Sequence, residues 1–239
     1  MLFRDRAHAG RRLAERLHHY AGRPDVVVLA LPRGGVPVAV EVAHALGAPL
    51  DVFLVRKLGL PGNEELAMGA IASGGSRVLN RSLLERLHVP PQTVDAVASR
   101  EQRELERREY AYRGSNPSPL LRGKTVILVD DGLATGATMH VAAAALRSKD
   151  PARIVVAVPV GASSSCEEFG DLVDEVVCVE TPEPFLSVGQ WYEDFPQTED
   201  EEVHRLLEQS RRERPGPNRS GRSRFPASGS REPKRVDPR

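Results

Sequence analysis

Five short apolar runs recur along the chain: VVVLAL at 26–31, DVFLV at 51–55, TVILV at 125–129, RIVVAVPV at 153–160 and DEVVCVE at 174–180. Each is strand-sized and rich in β-branched residues, with little alternation between apolar and polar positions. Each therefore predicts a strand covered on both faces. Between the runs the spacing turns helical. Phe3, Ala7, Leu13, Ala14 and Leu17 fall near one face of a helix over 3–20, with Arg and Glu opposite. VPVAVEVAHALG predicts a helix over 36–47 closed by Gly47. Further helices are expected over 137–147, which is rich in alanine, and around 164–172. Residues 93–113 predict a charge-laced helix, with Glu104–Arg108 and Glu109–Arg113 in the favourable i,i+4 order. Its weak apolar stripe should leave a face wet. The stretch 66–80, around Gly69, Gly74 and Gly75, fits a short helix or a strand pair equally well, and GSNPSP at 114–119 is a loop by composition. Buried strands alternating with helices predict α/β architecture: a mostly parallel sheet flanked by helices.

The pattern stops near Ser210. The remainder, to Arg239, is rich in Arg, Pro, Gly and Ser with almost nothing to bury, so 210–239 is expected to be a disordered basic tail behind a domain spanning 1–209. Charge sharpens this division. Lys plus Arg and Asp plus Glu both total 33, a net of zero. Residues 211–239 hold ten basic side chains against three acidic, a net of +7, so residues 1–210 carry −7. A uniformly basic nucleic-acid coat and a uniformly acidic disordered chain are both excluded.

Length, 239 residues, fits one to two domains, and 40% hydrophobic content supports a core that 5% aromatics leaves to aliphatic side chains. No apolar run approaches the ~18–20 residues of a membrane span. The opening MLFRDRAHAG has charges where a secretory signal needs an apolar stretch. Cys166 and Cys178 are too few for a disulfide framework and lie in or beside apolar segments, so buried reduced thiols and a cytoplasmic location are expected. The seven histidines are scattered, and His18–His19 lacks ligand spacing.

The chemistry concentrates in VILVDDGLATGATM at 126–139. Ligands of parallel sheets sit beyond the carboxyl ends of strands, which puts Asp130 and Asp131 at the functional edge. Gly132, Gly136 and the alanines leave backbone N–H groups open, and a glycine-containing loop at a helix N-terminus is an anion site. Thr135 and Thr138 add hydroxyl donors. Carboxylates suit sugar hydroxyls or a hydrated metal, so phosphate and diol one ribose apart point to a ribose 5-phosphate ligand.

The stretch 126–138 resembles, at all 13 positions, the signature loop of the type I phosphoribosyltransferases, which bind phosphoribosyl pyrophosphate (PRPP): four apolar residues, two acids, then small residues and threonines. The resemblance implies that Asp130 and Asp131 hold the ribose hydroxyls. It also implies that Ala134, Thr135, Gly136, Ala137 and Thr138 wrap the 5-phosphate. LPRGGVPVA at 31–39 is similar to the family's pyrophosphate loop, with Arg33 as a fixed cation and Gly34 and Gly35 permitting close backbone approach. VRKLGLPG at 55–62 resembles, one residue shorter, a segment of adenine phosphoribosyltransferases, which would put Arg56 at the PRPP site and turn Lys57 to the pyrophosphate as a catalytic cation alongside the acidic pair.

What the resemblance implies is a hooded phosphoribosyltransferase fold in which a nitrogenous base displaces pyrophosphate from Mg²⁺-bound PRPP, in nucleobase salvage. Mg²⁺ would take few protein ligands, Asp130 and Asp131 through water, and several waters. Residues 58–115 supply a flexible-loop and helical insertion, in which Arg100, Arg107 and Arg108 have the reach for phosphate. Residues 181–209 supply a hood-like segment, in which Phe185, Trp191 and Tyr192 are base-stacking candidates. Several oxopurine enzymes carry an Asp where this chain has Ala134, and no Lys between 150 and 233 is present to read a purine oxygen. The general acid or base then falls to Glu64, Glu65 or the 93–113 helix. A homodimer is the family default. The competing reading is a non-catalytic PRPP- or nucleotide-sensing regulator of the same fold that binds nucleic acid through the basic tail.

Overall fold

A computed structural model describes residues 2–213; the expected tail falls outside them apart from its first residues. In chain order the elements are α1 (Arg6–Arg16), β1 (Val26–Ala30), α2 (Gly35–Leu46), β2 (Leu50–Val52), β3 (Val55–Leu60), β4 (Asn63–Ala72), β5 (Ser76–Leu79), α3 (Arg81–Arg86), α4 (Pro91–Arg113), β6 (Thr125–Val129), α5 (Ala137–Arg147), β7 (Arg153–Val160), α6 (Ser163–Glu167), β8 (Glu175–Glu180) and α7 (Asp200–Glu213).

The apolar runs build a five-stranded sheet of order β2-β1-β6-β7-β8, every pair parallel. Strand period divides each run between two cores. Val26, Val28, Ala30, Ile127, Val129, Val155 and Ala157 pack with α1, α2 and α7. Val27, Leu29, Val126, Leu128, Ile154, Val156 and Val158 pack with α5 and Phe169. Burial on both faces is why these strands read as continuous apolar runs.

Three features depart from expectation, and the open alternative at 66–80 is resolved. The first helix starts at Arg6, because the Asp5 carboxylate accepts from His8 N at 2.6 Å and caps it there. Phe3 instead bridges Tyr192 in the hood segment. The 51–55 run is divided: Phe53 N still donates to Ala30 O, but Leu54 N donates to Ser73 Oγ and Val55 begins a second, antiparallel sheet of order β3-β4-β5. The 58–115 insertion is therefore this hairpin layer followed by α3 and the 23-residue α4, and 66–80 is a strand pair. Finally, α7 runs to Glu213, past the expected boundary at 209, because Val203 and Leu207 are buried and Gln209–Glu213 and Arg212–Glu208 side-chain bonds extend its exposed end.

The expectation of reduced thiols is overturned. Cys166 and Cys178 form a disulfide, with Cα atoms 6.9 Å apart. The chain leaves β7 through α6 and returns as β8 directly beside it, with Val158 opposite Cys178, and this return brings the two thiols together. Among the described residues no helix is long and apolar enough to cross a membrane.

Candidate active site

The strand order reverses between β1 and β6: β2 lies on one side of this pair, β7 and β8 on the other. Loops leaving the carboxyl ends of two such strands diverge and open a crevice. Residues 31–35 line one wall and 130–136 the other, and Leu31 N donates to Val129 O at their base.

The two walls touch through glycine. A Cβ on Gly35 would stand 2.7 Å from Val129 O and 2.9 Å from Asp130 Cα, and one on Gly34 would land on the Asp131 carboxylate. Only residues without a side chain allow this approach. The opposite end of the second loop is held by α6 and β7. Leu133 N donates to Val160 O, Ala162 N to Leu133 O, and Ser165 Oγ to Ala134 O at 2.5 Å. Gly136, in the left-handed region at φ 68°, turns the chain into α5, whose N-terminus receives no side-chain cap. Ala134, Thr135, Ala137 and Thr138 are exposed around that end. The result is an open cradle of backbone N–H and hydroxyl donors suited to an anion.

At the other end, Asp131 N donates to Asp130 Oδ1 at 2.9 Å. Burial pushes the Asp130 carboxyl well above the usual carboxylate range, and the neighbouring Asp131 charge adds to it. Burial also raises Asp131, against the pull of Arg6, whose Nε donates to Asp131 Oδ2 at 2.8 Å. Two adjacent carboxylates are hard oxygen donors of the kind a Mg²⁺ that keeps most of its waters takes; among the described residues no group of three or more His, Cys, Asp or Glu side chains is placed to hold a metal ion.

Arg33 reaches the cleft beside Gly34. Its Nη1 lies 3.7 Å from both Glu199 Oε2 and Asp200 Oδ1 at the start of α7. Asp200 also accepts from the Tyr112 hydroxyl at 2.7 Å, and burial with this bond pushes that phenol up to about 12. Arg33, Gly34, Gly35, Asp130, Asp131 and 134–138 are thus brought together. Arg56 and Lys57 lie on β3 in the second sheet. Arg56 pairs with Glu101 at 2.6 Å, and Lys57 Nζ lies 3.3 Å from Glu65. Arg100, Arg107 and Arg108 pair with carboxylates of their own helix, Glu101 and Glu104. Glu64 and Glu65 are exposed.

Phe185 and Trp191 are half-buried in the hood. Tyr192 is 6% exposed, its ring between Phe3 and Phe195 and its hydroxyl donating to Asp131 O at 2.6 Å. Its ring is therefore not presented for stacking; the residue braces the acidic pair from behind. Sequence reasoning missed Arg6 and the Glu199–Asp200 contact to Arg33. Both are ion pairs between residues far apart in the chain, with no local signal.

Residues 3–189 match the family model described as phosphoribosyl transferase domain. Two curated Mycobacterium tuberculosis proteins, from strains CDC 1551 and H37Rv and each named "Putative phosphoribosyl transferase", are 47% identical over 212 residues, covering 89% of this chain. The chain spans 48% of the length of these relatives. The crystal structure of TT1426 from Thermus thermophilus superimposes with a TM-score of 0.77 at 44% identity, covering 87% of this chain and 98% of that one. The chain belongs to the phosphoribosyl transferase domain family.

Proposed function

We propose that the chain transfers the 5-phosphoribosyl group of Mg²⁺-bound PRPP to a nitrogenous base in nucleobase salvage, releasing pyrophosphate. The observation that carries this reading is the packing of Gly34 and Gly35 directly on Asp131 and Asp130. The carboxylate pair thereby lies between the 33–35 and 134–138 loops, an order that supports a diol held between two anion-binding loops. In this reading the carboxylates take the ribose hydroxyls and the 134–138 loop takes the 5-phosphate. The 33–35 loop takes pyrophosphate, with Lys57 brought in from β3. Mg²⁺ would be held through water by Asp130 and Asp131 and would neutralise charge building on the leaving pyrophosphate. Such a site acts mainly by position and electrostatics. Ala134 places no carboxylate next to the acceptor, so the general acid or base falls to Glu64 or Glu65 on β4 or to α4.

The test is a nucleobase panel with Mg²⁺ and PRPP, read by pyrophosphate release. Replacing Asp130 and Asp131 together by Asn abolishes PRPP binding in calorimetry; unchanged affinity overturns the assignment. Absence of pyrophosphate release with every base, combined with nucleic-acid binding that removal of the basic tail abolishes, favours the regulator.

A further inference from the structure

Arg6 is the first residue of α1, yet its side chain, 11% exposed, leaves that helix for the acidic pair. Three contacts fix it. Nε donates to Asp131 Oδ2 at 2.8 Å, Nη1 donates to Pro196 O at 2.6 Å, and Cζ stands 3.7 Å over the Phe195 ring centroid. The backbone around it is paired to the same segment. Phe3 N donates to Trp191 O, Glu193 N to Phe3 O and Asp194 N to Arg4 O, each at 2.8 Å. Residues 3–6 and 191–196 thus form one unit, and that unit grips Asp131 twice, by the Tyr192 hydroxyl on its carbonyl and by Arg6 on its carboxylate.

A guanidinium is planar and donates in fixed directions, so it can pair with a carboxylate, satisfy a carbonyl and lie flat on an aromatic ring at once. An ammonium cannot do all three. Arg6 holds Oδ2, and Gly34 closes in on that same oxygen. Held at Oδ2, the carboxylate has the orientation of its other oxygen, Oδ1, set as well.

We propose that Arg6 is a positioning residue for ribose recognition, orienting the Asp131 carboxylate and tying it to the hood through Phe195 and Pro196. This rests on the phosphoribosyl reading above and deepens it. The ribose end and the hood end of the site are then one mechanical unit, built by the N-terminal segment crossing over to residues 191–196. Pyrophosphate, which meets the 33–35 loop and carries no sugar, depends on Arg6 only through the Mg²⁺ shared with Asp131.

The experiment is calorimetry with the full chain and Mg²⁺, using PRPP, ribose 5-phosphate and inorganic pyrophosphate as separate ligands. Arg6→Gln keeps a hydrogen-bond donor and loses the charge and the fork. It should weaken PRPP and ribose 5-phosphate at least about tenfold, the usual worth of a charge-assisted bond, and weaken pyrophosphate, which feels only the shared Mg²⁺, by distinctly less. Arg6→Lys, which restores the charge alone, should fall between wild type and Arg6→Gln, and keeps the test open if Arg6→Gln does not fold. Equal losses for all three ligands reduce Arg6 to a structural residue and overturn the inference. Wild-type affinity for PRPP in both variants overturns it too, leaving the phosphoribosyl reading intact. No binding of PRPP or ribose 5-phosphate by the wild-type protein overturns both.

Discussion

Asp130 is a carboxylate beside another carboxylate, held where water is scarce. Both circumstances penalise its charged form, so its folded-state pKa lies above the unfolded one. For such a group the stabilising contribution is complete below the unfolded pKa, about 3.9, and is lost as pH rises through the folded value. At neutral pH the ligand-free fold therefore carries an ionisation cost at this position. Asp130→Asn, which removes the charge at constant shape, should raise the melting temperature at neutral pH, with the gain vanishing below about pH 4. Thermal melts across that range check the prediction, and an unchanged or lower melting temperature at neutral pH contradicts it. The same variant should lose PRPP binding, the trade expected when a site is built from buried like charges. Gly34→Ala forces a methyl group onto the Asp131 carboxylate. Overpacking of this kind costs about 1–3 kcal/mol, and here the displaced group is a ligand of the proposed diol, so PRPP affinity should fall together with stability. Pairs such as these were legible as residue types, since each loop is contiguous in sequence. Their partners were not: Arg6 stands 125 positions from Asp131, and no local pattern joins them.

At the scale of elements, burial decides what could be read. The central strands lie under helices on both faces, and their continuous β-branched runs stood out for that reason. The pair β4–β5 was ambiguous because Ala and Gly fill six of the nine positions 67–75, leaving neither a two-residue nor a 3.6-residue period to count. The α7 helix was invisible because its fully buried anchors are only Val203 and Leu207 amid acidic and basic side chains. Those anchors seat it on α2 and α4, so Leu207→Ala should cost about 2–5 kcal/mol, read as a shift in urea midpoint without a change in slope. The disulfide belongs to this scale too. It links α6 to β8 across 12 positions, and closing a loop of that size is worth about 3 kcal/mol in the chain-entropy account. Reductant should lower the melting temperature of the wild-type protein and leave that of Cys178→Ser unchanged. Because Ser165, next to Cys166, holds the Ala134 carbonyl, this linkage lies directly behind the 134–138 loop.

The whole molecule is charged in two opposing regions. The net charge of zero is the sum of +7 in residues 211–239 and −7 in the rest. Every residue assigned to the site lies within the acidic region, and the cations there are drawn close to carboxylates: Arg33 to Glu199 and Asp200, Arg56 to Glu101, Lys57 to Glu65. An anionic substrate must compete with those carboxylates, while the domain's long-range field is damped within about 8 Å at physiological salt. A chain ending at Glu213 should therefore bind PRPP as the full chain does, measured by calorimetry at equal ionic strength. A marked loss would place a substrate contact in the tail.

The sequence by itself determined the local chemistry: the parallel α/β class, the two glycine loops, the acidic pair and the division of charge. All of these are properties of contiguous residues, whose spacing and type suffice to express them. The tertiary structure alone decided what converges on that chemistry. Crossing of the N-terminal segment to the hood put Arg6 and Tyr192 on Asp131, and packing of α7 put Glu199 and Asp200 on Arg33. The return of β8 beside β7 joined Cys166 to Cys178. Such contacts depend on how distant elements pack, and no period or motif within a single segment encodes that.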